Sequence, residues 1–142
     1  MKKLFKITIA FLLCLSIMGC SKEPVTFDLV AISNTNETLY VSDWGDELKG
    51  TLEFKDDSFT EGTITCQISS QTIDATLSDG ILLETANEDG VLNYYYQYSM
   101  EIDNQTATCY SVQSFSNDQH YVVIAVETSD YSLSWVFNLE KQ

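Results

Sequence analysis

Four cysteines, a single histidine and 21 carboxylates are the groups in this 142-residue chain that could do chemistry. A nucleophilic cysteine needs a base within hydrogen-bonding reach, and His120 is the one histidine. It opens a β-like stretch beside Tyr121 and is expected as an exposed strand-end residue rather than a general base. One histidine and two internal cysteines, Cys66 and Cys109, fall short of the four nitrogen and sulfur ligands of an ordinary zinc site. Calcium needs only oxygens, and Asp56-Asp57, Asn87-Glu88-Asp89 and Asp103-Asn104 are the acidic runs that could contribute. None follows the spacing of a calcium-binding loop, and each reads as a tight turn. No pair of carboxylates is set apart from the others for glycoside hydrolysis. No catalytic residue, metal centre or cofactor is therefore assigned, and the chain is expected not to be an enzyme.

Cys14 and Cys20 belong to the apolar amino-terminal run, which leaves Cys66 and Cys109 as the pair within the body of the chain. In an oxidising compartment a disulfide between them would add roughly 4 kcal/mol by loop entropy for a loop of about 43 residues. The alternative is two separate buried thiols. The tyrosines Tyr94, Tyr95, Tyr96 and Tyr98 are the compositional oddity. Tyrosine offers both area and a hydroxyl, so the four could form a binding surface for sugar rings or a protein partner. In the structural reading Tyr94, Tyr96 and Tyr98 are core and Tyr95 fills a cross-strand position.

Lys2, Lys3 and Lys6 precede an apolar stretch from Ile7 to Met18, and Gly19 is small. This is the order of an export signal, and the stretch is short of the roughly 20 residues that span a bilayer. The tetrapeptide Ile17-Met18-Gly19-Cys20 resembles the lipobox of bacterial lipoproteins. The resemblance implies removal of residues 1–19, a diacylglyceryl thioether and further acylation at Cys20, and a short tether over residues 20–24. Two or three acyl chains hold a protein stably on a membrane. The expected location is the cell envelope: the outer membrane or cell surface if the organism is Gram-negative, since Ser21 rather than Asp follows the cysteine, and the cell membrane otherwise.

Residues 20–142 carry four lysines against 21 carboxylates, a net −17, and the chain contains no arginine. Phosphate binding depends on clustered Lys or Arg, so nucleic acid is not expected as a partner. An acidic surface solubilises, and it also speeds association with a cationic protein.

The elements that must position these groups are strands. Past Pro24 apolar residues alternate with polar ones, and turn residues recur at short intervals. Strands are predicted over residues 25–32, 38–42, 48–55, 59–69, 72–77, 81–86, 91–102, 106–115, 120–128 and 131–139. Asp56-Asp57-Ser58, Asp79-Gly80, Asn87 to Gly90, Asp103-Asn104-Gln105, Ser116-Asn117-Asp118 and Ser129-Asp130 are the connecting turns. Tyr94, Tyr96, Tyr98, Met100 and Ile102 share one face of a strand, as do Tyr131, Leu133, Trp135, Phe137 and Leu139. The pattern predicts a single all-β domain over residues 25–142: an antiparallel meander of about eight to ten strands that closes on itself, with an immunoglobulin-like β-sandwich as the alternative.

Residues 48–139 resemble the lipocalin-like domains of bacterial lipoproteins. Stretch 51–60 matches their strand, acidic turn, strand element, and the run from Tyr94 through Phe137 matches their closing hairpins; the Gly-x-Trp of true lipocalins does not occur. Two functions are compatible with such a barrel. One is a membrane-anchored monomer acting as a non-catalytic binding module, packed solid by Phe54, Ile64, Tyr96, Trp135 and Phe137. The other is a carrier holding a small apolar ligand inside the barrel, which requires an interior cavity.

Overall fold

The alternation of apolar and polar residues becomes nine strands in the computed structural model, which describes residues 23–128 and 134–141. They are β1 (Val25–Ser33), β2 (Thr38–Tyr40), β3 (Leu48–Phe54), β4 (Gly62–Ile68), β5 (Gln71–Glu88), β6 (Val91–Ile102), β7 (Gln105–Ser116), β8 (Gln119–Glu127) and β9 (Ser134–Lys141). A one-turn helix α1 (Val41–Trp44) and a 3-10 turn (Gly45–Glu47) join β2 to β3.

From β3 to β9 each strand pairs antiparallel with the next, and β1 pairs with both β3 and β9. Eight strands thereby close into a lipocalin-like antiparallel barrel, while β2 lies outside the ring against the far half of β1, Ala31 opposite Tyr40 and Ser33 opposite Thr38. The sandwich alternative is not what forms. Closure removes the edges that an open meander would present over most of its length.

The inward faces make one continuous core. Phe27 and Ile32 of β1, Leu52 and Phe54 of β3, Ile64 and Cys66 of β4, Tyr98, Met100 and Ile102 of β6, Val122 and Ile124 of β8, and Phe137 of β9 are all essentially without solvent contact. An eight-stranded barrel is just wide enough to be filled by side chains of this size.

Three hairpins turn on residue pairs that both have positive φ: Asp89-Gly90, Asp103-Asn104 and Asn117-Asp118. This is the conformation that matches the right-handed twist of the flanking strands, and Asp, Asn and Gly adopt it most readily. The expected turn at Ser129-Asp130 and the start of the last predicted strand, with Tyr131 and Leu133, lie outside the described residues.

One expected turn is a correction. Asp79-Gly80 does not separate two strands. Both residues lie within β5 as a bulge, two residues set against Tyr98 between the pairs Ser78–Ser99 and Ile81–Gln97, with Asp79 at φ 53°. A second bulge follows, where Leu83 is the extra residue between Leu82–Tyr96 and Glu84–Tyr95. The sequences of a bulge and of a hairpin turn are alike because both need a left-handed residue.

Gly80 is held tightly. Its N–H donates to the Thr60 carbonyl at 3.0 Å, and a Cβ built on it would lie 2.7 Å from both Thr60 Cα and a ring carbon of Tyr98. The Tyr98 hydroxyl in turn donates to the Phe59 carbonyl at 2.6 Å, tying the β3–β4 loop to β6. Gly80→Ala is expected to destabilise the barrel by about 1–3 kcal/mol through overpacking, read as a lower midpoint in urea denaturation with an unchanged slope.

Candidate functional site

The four tyrosines do not form one surface. Tyr96 and Tyr98 are buried and stacked at 5.8 Å, and Tyr94 meets Phe115 edge-on at 5.4 Å inside one end of the barrel. Tyr95 has the opposite parity and stands on the outer wall, where its cross-strand neighbour is Val112, followed by Val123 on β8. Tyr110, not singled out from sequence, is the more exposed outer-wall tyrosine. Its alternation with the buried Cys109 and Ser111 was the available signal.

His120 is not the exposed strand-end residue expected from the sequence. It is only 7% exposed. Its ring stacks on Phe115 at 3.7 Å and meets Phe27 and Phe59 edge-on at 4.6 and 5.7 Å. Nε2 lies 3.2 Å from Gln113 Oε1. His120 is the second residue after the Asn117-Asp118 turn, paired with Phe115, and parity points its imidazole inward. Burial, with the Lys141 charge adding to it, lowers its pKa to about 4. At neutral pH it is an uncharged aromatic wedge.

Cys66 on β4 and Cys109 on β7 face the core as free thiols. Their strands are not neighbours, and the disulfide weighed from the sequence is not formed. Burial pushes Cys66 up to about 11 and Cys109 up to about 12, so neither supplies a thiolate near neutral pH.

The acidic runs do turn chemistry. The Asp56 carboxylate accepts the Ser58 N–H at 2.8 Å and also its hydroxyl, while Asp89, Asp103 and Asn104 occupy left-handed turn positions. Among the described residues no group of three His, Cys, Asp or Glu side chains is placed to hold a metal ion. Inside the barrel, Ser111 Oγ and Gln113 Nε2 are buried near the Tyr98 hydroxyl, and neither makes a well-formed hydrogen bond among the described residues. They continue the polar line that begins at His120.

Among the described residues, the largest run of exposed apolar side chains lies on β5. Ile81, Leu82 and Leu83 are 57, 47 and 54% exposed on consecutive positions of β5, just after the bulge that carries this strand past the β3–β4 loop. The strand predicted over residues 81–86 is here the continuation of β5. The two bulges shift its parity, and the pairing with β4 stops at Leu77, so among the described residues no strand lies along its outer edge. Comparison with protein-family models, with curated proteins and with solved structures finds no match.

Two expectations follow. Because the folded-state pKa of His120 is lowered, the unfolded chain binds its proton first; the stabilisation is complete above about pH 6.5 and is lost as pH falls toward 4. Relative to a His120→Gln variant, whose amide does not titrate, the native protein should lose an extra 2–3 kcal/mol, roughly, across that window in urea titrations. Thiol reagents should leave Cys66 and Cys109 unmodified in the native protein at pH 7.5 and modify both in denaturant; fast labelling of the folded protein would contradict the burial described.

Proposed function

We propose that the protein is a lipid-anchored, non-catalytic binding module of a bacterial cell envelope, tethered through Cys20 and meeting partners with its outer surface. The observation that carries this reading is the filled interior. Phe27, Leu52, Phe54, Tyr98, Met100, Ile124 and Phe137 pack into one cluster at 1% exposure or less. A carrier of a small apolar molecule needs several hundred cubic ångströms of interior space, by the usual size of ligand pockets, and these side chains occupy that space. The barrel shape alone does not decide function; its packing bears on which of the two functions it suits.

The acidic character points the same way. Lys55 and Lys141 bracket a long stretch without a single lysine or arginine, so most of the barrel presents carboxylates alone. Such a field favours encounter with cationic surfaces.

Native mass spectrometry of the protein, released gently from membranes, should give the mass of the lipidated chain with no further bound molecule. A discrete added mass lost on denaturation would favour the carrier instead. Cys20→Ser should abolish palmitate labelling and release the protein from membranes, and persistent labelling of that variant would sink the anchored reading.

A further inference from the structure

We propose that the outer edge of β5 beyond Leu77 is a strand-addition site for an extended, cationic segment of a protein partner. This rests on reading the protein as a binding module and names the surface it uses. The pairing of β4 with β5 ends at Gly62–Leu77. From Ile81 to Glu88, β5 is bonded to β6 on one side. On the other side, among the described residues, the Gly80 N–H bond to Thr60 is the last backbone bond before the strand runs free. An eight-residue edge therefore offers unpaired N–H and C=O groups, which an extended chain can satisfy as a further strand.

Proteins ordinarily protect such an edge with lysine, proline or a very short strand. Residues 81–88 read Ile-Leu-Leu-Glu-Thr-Ala-Asn-Glu and contain neither lysine nor proline. The edge is instead long, half apolar and open.

The register states the chemistry of the occupant. Leu82 pairs with Tyr96 and Thr85 with Tyr94, so these two lie on the inward side of the sheet. Glu84 pairs with the outward Tyr95, and Glu88 follows on the same outer side, with Asp79 and Asp89 at the two ends. An added strand would meet Leu82 and then the polar Thr85 and Asn87 on its inner positions, and the carboxylates of Glu84 and Glu88, with Ile81 and Ala86 among them, on its outer ones. The fit is an extended segment with lysine or arginine beside Glu84 and Glu88 and an apolar residue beside Leu82, as in a strand that alternates the two. A second copy of the chain fits poorly, since edge-to-edge pairing would set these carboxylates against one another at a net charge of −14 per chain.

The test uses the full chain and a peptide of about eight residues alternating valine and lysine. Hydrogen exchange should show new protection confined to residues 81–88 and their immediate neighbours. A peptide N-methylated along one edge should give none. In the Glu84→Lys/Glu88→Lys variant affinity for the lysine peptide should fall roughly tenfold and affinity for a valine-glutamate peptide should rise, by the reversal of cross-strand charge pairs. These exposed changes leave the core untouched, and an unchanged circular dichroism spectrum checks that. Protection elsewhere, equal binding of the N-methylated peptide, or amides already protected in a dimer of the free protein would overturn the site. A small molecule retained in the folded protein would overturn the binding-module reading itself, whereas a bare protein with 81–88 unprotected by the peptide overturns this site alone.

Discussion

The pairing of β1 with β9 is the interaction on which the rest depends. Antiparallel partners on both sides, from Phe27–Lys141 to Ser33–Val136 on one and from Val25–Phe54 to Asp28–Thr51 on the other, turn a meander into a ring. Closure gives the sheet an inside, and the inside sets the side chains. Eight strands enclose a bore that Phe, Tyr, Ile and Met fill, with Ser111, Gln113 and His120 as its polar members. What the ring leaves exposed is its outer wall, its loops and, among the described residues, the far edge of β5.

The strands were largely legible because their cause is local. Tyr96, Tyr98, Met100 and Ile102 alternate with polar residues, and an alternation of that length has one structural solution. Closure was legible as an expectation, since one-sided strands in series need something to cover their apolar face. Where β5 was divided in two, the sequence signal was real but ambiguous: Asp79-Gly80 has turn chemistry, and only the pairing partners distinguish a bulge from a reversal. The tyrosines illustrate the same limit. Parity sorted Tyr94, Tyr96 and Tyr98 from Tyr95, yet nothing local says that Tyr98 anchors a loop through the Phe59 carbonyl, a contact spanning 39 positions.

His120 is misplaced by the sequence reading, and the exposure of Ile81 to Leu83 is not legible there, for a common reason. Each is judged from sequence by its neighbours in the chain, whereas burial depends on what lies across the barrel. His120 sits beside a polar turn but faces Phe27, Phe59 and Phe115. Ile81 to Leu83 are apolar, yet among the described residues no strand pairs with their outer edge. The single histidine of the chain is thus spent on packing, and the most apolar stretch of β5 on the surface. Local rules give way at such positions, and those are where a fold carries something other than its own stability.

Bonding β1 on both edges also has a mechanical meaning. Antiparallel hydrogen bonds lie perpendicular to the strands they join. A pull on the residues just before Val25 acts along β1, and it loads the bonds to β3 and β9 together in shear rather than opening them one at a time. The barrel is therefore gripped at its amino end by a strand bonded on both edges. A protein held at that end and tugged by whatever it binds would transmit the force through the ring without first unravelling.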